Sequence, residues 1–410
     1  MTNEKPKRKH GARKPVVFLG AGILIGAVVA AVAIVTTLLV ITPSAPVVAT
    51  ADAQVARPVS PTPDMNRSIA QRSTPRPTVI APRIRSASIA PDGTHLAVAR
   101  LQAGRTDIRI YDQYLEDSLL ARDPDATQIT LDALASDVTV DISPTNARVL
   151  ITSRAQAFVA VYGLDGVQVA TFDGRRAAAW SADGRYLVTA DAEQLELRDA
   201  RDLTLLATIR LDMTAQAVRI SPDSAQIALI AGDTTSAALL LYSIPDIAAG
   251  ANPSPTRITL ADANTSDTAF HPSGRYLALA YPAYVQVIDL NDGDRRNYGF
   301  TRDYGDVMGT MDMIGRVRAV TFSTAGDWLI IGGGLTSNGR IGSIVMTRWD
   351  EGTIIPPDPN YFTIQTLGWH QHDVSDLRMT PAGYLLSASD DGSVRLWDIE
   401  TQAQLSRVQL

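Results

Sequence analysis

The sequence predicts an all-β fold: a seven-bladed β-propeller of four-stranded antiparallel blades, preceded by one transmembrane helix and a Pro-rich linker. Three observations predict the ring. A turn of Ser/Thr-Pro-Asp-Gly type recurs seven times after residue 83. Two apolar columns bracket every copy. A further strand in each copy ends in an aromatic-Asp-like pair.

The turn appears as Ala90-Pro91-Asp92-Gly93, Ser143-Pro144-Thr145-Asn146, Ser181-Ala182-Asp183-Gly184 and Ser221-Pro222-Asp223-Ser224. It continues as His271-Pro272-Ser273-Gly274, Ser323-Thr324-Ala325-Gly326 and Thr380-Pro381-Ala382-Gly383. Proline presets φ at the first central position, and Gly or Asn accepts positive φ later in the turn. Before the turn stand Ile89, Ile142, Trp180, Ile220, Phe270, Phe322 and Met379. After it stand Leu96, Val149, Leu187, Ile227, Leu277, Leu329 and Leu386. Both columns are apolar in every copy, as two strands facing one core require.

The third strand of each copy ends at Tyr111-Asp112, Tyr162-Gly163, Arg198-Asp199, Tyr242-Ser243, Ile288-Asp289, Trp349-Asp350 or Trp397-Asp398. A fourth strand follows most copies, as at Gln168 to Phe172, Leu205 to Ile209 and Leu405 to Leu410. Four short antiparallel strands repeated in tandem predict a propeller. Turn-to-turn spacings of 53, 38, 40, 50, 52 and 57 residues imply loop insertions in the longer copies. The best helix-period stretch is Tyr114 to Arg122. Closure is left open between two arrangements. Blade seven is one contiguous piece ending at Leu405 to Leu410, or residues 77 to 80 add an edge strand.

Ahead of the ring, Val16 to Ile41 is a run of 26 uncharged residues. As a helix it spans roughly 39 Å, more than the ~30 Å hydrocarbon core. Its length exceeds a secretory signal's apolar core, so it reads as a signal anchor. Cleavage near Ala49-Thr50-Ala51 is the alternative. All four lysines lie in the first 14 residues, which carry a net charge of +5 against −11 for the rest. A basic flank places the N-terminus in the cytoplasm and the ring outside the cell membrane. Gly22, Gly26 and Ala30 share one helix face and allow a homodimer through the membrane segment. Thr42 to Pro82 carries eight prolines in 41 residues, the composition of an extended tether. The boundaries are therefore 1–14 for the basic tail, 15–41 for the membrane helix, 42–82 for the linker and 83–410 for the propeller.

Composition narrows the chemistry. The chain has no cysteine, which removes disulfides, thiolate metal sites and cysteine nucleophiles. A lysine-free domain cannot use a lysine Schiff base or a phosphate-loop lysine. Its acidity gives no electrostatic reason to bind nucleic acid. There is no Gly-x-Ser-x-Gly elbow. His370-x-His372 with Asp373 could be metal ligands, but no further ligand is visible in the sequence, and Asp289 to Asp294 fails calcium-loop spacing. No cofactor and no metal are expected.

One copy carries more. His370-Gln371-His372-Asp373-Val374 precedes Ser387-Ala388-Ser389-Asp390-Asp391-Gly392-Ser393-Val394-Arg395-Leu396-Trp397-Asp398. This resembles a blade of the WD-repeat family. The resemblance implies a buried hydrogen-bonded tetrad of His370, Ser389 or Ser387, Asp391 and Trp397. The other six copies depart from that pattern and are equally similar to the looser repeats of bacterial periplasmic propellers. Architecture of this kind does not fix function.

The expected role is a scaffold binding a protein, peptide or cell-envelope ligand, with a propeller hydrolase (lactonase-like or glycan-cleaving) as the alternative. Three or more carboxylates or imidazoles converging at one channel mouth would favour the hydrolase. A mouth of Ala, Val and Arg would favour the scaffold. The insertion from Tyr298 to Ile314 is the candidate binding loop. It holds Tyr298, Phe300, Tyr304, Met308, Met311 and Met313, side chains suited to an adaptable interface. A second insertion, Glu351 to Phe362, reads the same way.

Overall fold

The computed structural model describes residues 82–410 apart from 113–114, 117–118, 121–125, 132–136, 234, 300–315, 335–341 and 351–363. The membrane run, the linker up to residue 81 and the helix face of Gly22, Gly26 and Ala30 lie outside the described residues. Among the described residues no helix is long and apolar enough to cross a membrane.

Seven four-stranded antiparallel sheets follow one another along the chain. Their inner strands are Arg83–Ile89, Val138–Ile142, Ala177–Trp180, Ala215–Ile220, Asp267–Phe270, Val317–Phe322 and Val374–Met379. Each runs into one of the seven turns. The fourth turn residue has positive φ in every copy, from 56° at Asn146 to 84° at Gly383. In five blades a Ser or Thr at the head of the turn accepts a backbone N–H from beyond it, as Ser181 Oγ does from Tyr186 N at 2.9 Å.

The two apolar columns meet across the turn. Ile89 pairs with Leu96, Ile142 with Val149, Trp180 with Leu187, Ile220 with Ile227, Phe270 with Leu277 and Phe322 with Leu329. Opposed residues of an antiparallel pair face the same side. Blade seven differs: its turn is one residue shorter, and Met379 pairs with Leu385 rather than Leu386. Both leucines are buried, one on each side of the sheet.

Two local expectations are corrected. Within Tyr114 to Arg122 the described residues are strand rather than helix: Leu115–Glu116 pairs with Leu119–Leu120 as a small hairpin. A two-turn helix is too short to be stable without packing. Tyr298 does not begin an insertion but belongs to the outer strand Arg295–Gly299, opposite Val285. Among the described residues the one helix is the single turn Ile244–Ala248. Ser243 caps it by accepting from Asp246 N, and Pro245 occupies its first turn, where no N–H is needed. Ile244 and Ile247 anchor it in the core between blades three and four.

The ring has seven cores, one at each interface between neighbouring blades. Both faces of each sheet are therefore covered. This explains strands such as Gln226–Gly232, buried at every position after the first. The interface between blades seven and one is built like the others, with Ile84, Ala87 and Val98 against Leu386, Val394 and Leu396. Blade seven is contiguous, its outer strand being Ala403–Gln409. Residues 77 to 80 lie outside the described residues.

Closure is thus non-covalent and partly polar. Ser86 Oγ donates to Asp376 Oδ2 at 2.6 Å, and Ala87 N donates to the same oxygen at 3.2 Å. Ser375 Oγ donates to Ile84 O at 2.5 Å, and Arg85 pairs with Asp390 at 3.0 Å. The same device joins other blades. Val320 N donates to Asp267, Val140 N to Ser86 Oγ and Ile142 N to Ser88 Oγ. An inner strand is a sheet edge, and its outward N–H groups need acceptors from the neighbouring blade.

Replacing Gly383 isolates the backbone cost of the turn. A Cβ there would meet nothing within 4 Å, yet φ is +84°. Gly383→Ala should destabilise the ring by about 1 kcal/mol, read as a lower urea midpoint with unchanged slope. Asn146→Gly should shift the midpoint the other way.

Candidate functional site

Two places gather chemistry-bearing side chains: the blade-seven network and the central cavity. In the network, Trp397 Nε1 donates to Ser387 Oγ at 2.8 Å, Ser387 Oγ lies 2.8 Å from His370 Nε2, and His370 Nδ1 lies 3.1 Å from Asp391 Oδ2. Asp391 is an acceptor, so Nδ1 carries the proton and Nε2 accepts from Ser387. One chain of donation runs Trp397 to Ser387 to His370 to Asp391, and all four residues are buried.

The serine of this chain is Ser387, not Ser389. Ser389 Oγ donates to His372 O at 3.0 Å and accepts from Asp391 N, fixing the tight turn instead. Two further members went unrecognised in the sequence. Ser393 Oγ donates to Asp391 Oδ1 at 2.6 Å. Arg395 reaches Asp391 at 2.9 Å and Trp369 O at 2.8 Å. The signal was the alternation Ser393, Arg395, Trp397 on one side of a strand.

Burial, the largest influence, pushes the His370 imidazole below its ordinary value, and the Asp391 bond opposes that only in part. Burial by itself would raise Asp391. Hydrogen bonds from His370 and Ser393 outweigh it and hold the carboxyl well below the usual range. Both nitrogens of His370 are engaged, which leaves it no electron pair for a metal. Among the described residues no group of three His, Asp or Glu could hold a metal ion. Asp289 is likewise occupied, paired with Arg275 at 2.6 Å.

Polar networks elsewhere use other residues at similar stations. In blade three Arg175 bridges Asp191 and Glu196, and Arg198 pairs with Glu196 at 2.7 Å. Between blades five and six, His271 lies among Tyr276, Phe322 and Trp349, with its Nε2 2.9 Å from Gly326 O.

The central cavity holds about 500 Å³ and takes lining residues from the inner end of every blade. It opens at the end of the ring opposite the seven turns, where the blade-to-blade crossings and the turns bearing Arg154 and Pro282 lie. Seven arginines and three aspartates line it, with Ala and Val between them. Each aspartate is engaged. Asp137 accepts from Ser153 Oγ and Ala155 N at 2.7 and 2.6 Å. Asp267 pairs with Arg219 at 3.1 Å, and Asp376 with Arg378 at 3.2 Å. Burial pushes the carboxyls of Asp267 and nearby Asp141 up, with Arg219 and Arg378 as opposing charges.

Of the candidate binding loop, Phe300, Tyr304, Met308, Met311 and Met313 lie outside the described residues. Arg316, just beyond that segment, lines the cavity.

Ser387→Ala should cost about 1–3 kcal/mol, because it leaves the Trp397 N–H and a His370 nitrogen without their buried partner. Stability should also fall as pH drops. An unfolded histidine takes its proton near pH ~6.5, whereas folded His370 resists it. The unfolded state therefore binds more protons from that pH down to the folded pKa. The Asp391 contribution is lost only below its unfolded value, near ~3.9. Urea midpoints of His370→Gln should show a shallower fall between these limits than those of the parent.

Residues 362–398 match the family model described as WD40: WD domain, G-beta repeat. The matched unit runs from the outer strand of blade six through the third strand of blade seven, so it straddles two blades. No curated protein matches the chain. The chain is therefore a seven-bladed β-propeller of four-stranded antiparallel blades, and one unit of it, at the junction of blades six and seven, is similar to a WD repeat.

Proposed function

We propose that the chain is a membrane-tethered, extracytoplasmic scaffold whose ring holds a protein, peptide or cell-envelope ligand. WD-repeat propellers as a class support a protein-binding role. The observation that carries the reading is the occupation of the reactive side chains. His370, Ser387 and Asp391 are buried and bonded to one another. The cavity aspartates are held by backbone N–H groups, hydroxyls and arginines. What the ring offers a ligand is a rigid mouth edged by turns from several blades.

The tether rests on the sequence. The uncharged run Val16 to Ile41 behind a basic tail supports a signal anchor with the N-terminus inside. Gly22, Gly26 and Ala30 support pairing of two such helices. A propeller hydrolase is the second reading, favoured by the three aspartates lining the cavity. Their hydrogen bonds, and the Ala, Val and Arg between them, weigh towards binding.

The chain has no cysteine, so single introduced thiols report topology without background. Ser60→Cys should react with an impermeant maleimide on intact cells, and Thr2→Cys only after permeabilisation. The reverse pattern would invert the proposed orientation. Crosslinking in membranes should capture a partner, and deleting residues 300–315 should weaken that capture while leaving the unfolding midpoint of the ring in place. An unchanged capture profile would remove that segment from the interface.

A further inference from the structure

The propeller is acidic overall, yet its central cavity is strongly basic. Four of the seven lining arginines have carboxylate partners. Arg219 and Arg378 pair with Asp267 and Asp376 inside the channel, at 3.1 and 3.2 Å. Arg85 and Arg318 pair with Asp390 and Asp373 at 3.0 and 2.8 Å. Arg154, Arg176 and Arg316 also line the cavity, and among the described residues none has a carboxylate within ion-pair distance. They come from blades two, three and six, so only ring closure brings them together.

Arg176 supplies a second observation. Its Nε is buried and has no hydrogen-bond partner. A buried guanidinium N–H without an acceptor is costly, and an acceptor supplied by a ligand would relieve it. The position is a rigid one, at the foot of the blade-three inner strand, where Arg176 N is tied to Ala190 O at 2.8 Å. A guanidinium presents a planar fork matched to carboxylate oxygens. A recess walled by low-dielectric blades focuses the field of such charges. Its volume of about 500 Å³ suits a few side chains of an inserted segment rather than a whole domain.

We infer that Arg154, Arg176 and Arg316 form an anion-binding mouth that takes an acidic peptide segment, its Asp or Glu carboxylates entering the recess. Arg85 and Arg318, already neutralised, frame the same opening. The inference rests on the scaffold reading and names the chemistry of the partner. The ring's net negative charge disfavours such a segment elsewhere, so a basic mouth also sets where it docks.

The test uses the full-length chain and a rhodamine-labelled hexaglutamate peptide, followed by fluorescence anisotropy. Saturable binding is expected, weakening as salt rises from about 50 mM to about 500 mM. The triple variant Arg154→Ala/Arg176→Ala/Arg316→Ala should weaken it roughly tenfold or more. Arg185→Ala, exposed beside the blade-three turn on the opposite face, should leave it unchanged. The double variant Arg154→Gln/Arg316→Gln keeps Arg176 and alters one half-buried and one exposed side chain, so it reports on the mouth even if the triple variant folds poorly. It too should lose affinity. Absence of saturable binding, equal affinity for hexaserine, or binding untouched by the double variant would overturn the inference. So would displacement of the peptide by inorganic pyrophosphate far more readily than by free hexaglutamate, which would assign the mouth to a phosphorylated ligand. If hexaglutamate fails to bind but membrane crosslinking still captures a protein, this inference falls and the scaffold reading stands. If the peptide binds at the mouth and crosslinking captures nothing, the reverse holds.

Discussion

Seven sheets set around a channel each turn an unpaired strand edge toward the next blade, and the ring exists only if those edges find partners. Apolar packing brings the blades together but cannot satisfy a backbone N–H. Side chains on the neighbouring inner strand do so. Asp267 serves Val320 N, Ser86 serves Val140 N, Ser88 serves Ile142 N, and Asp376 serves Ala87 N. The last of these lies between the final blade and the first, where among the described residues no shared strand ties the sheets together. A buried N–H without an acceptor costs on the order of 1–3 kcal/mol, so these few polar residues decide whether the circle closes.

The same frame explains why the channel is charged. Acceptors for the inner edges must be polar, and an aspartate in a buried wall needs a cation beside it. Arg219 and Arg378 supply that cation for Asp267 and Asp376. Blade seven carries a second polar network besides that pair: Trp397, Ser387, His370, Asp391 and Arg395 are connected and fix the tight turn and the crossing from blade six. Carboxylate and imidazole groups are thereby bound to architecture, while arginines at the opposite end of the channel from the seven turns face open space.

Much of this was legible in the sequence, and the failures have physical causes. Seven turns flanked by paired apolar columns specify strand, bend and strand, and that pattern alone predicts the ring. The shift from Leu386 to Leu385 in blade seven was hidden, because both faces of that sheet are buried and either leucine satisfies the pattern. Ser387 and Ser389 stand two apart on one strand, so they share a side of the sheet; only the position of His370 selects between them. Asp267 and Asp376 carry no local signal, since their partners lie in other blades at sequence separations of 53 and 289. Arg154, Arg176 and Arg316 come from three blades and meet only through closure. Long-range polar contacts of this kind leave no local periodicity to read.

The most direct test of closure is a double-mutant cycle between Ser86 and Asp376, using Ser86→Ala, Asp376→Asn and the pair, with urea unfolding as the readout. A polar clasp predicts that each single variant is destabilised and that the two effects are non-additive, with a coupling of about 1–3 kcal/mol. Additive effects, or single variants as stable as the parent, would contradict it and leave closure to apolar packing alone.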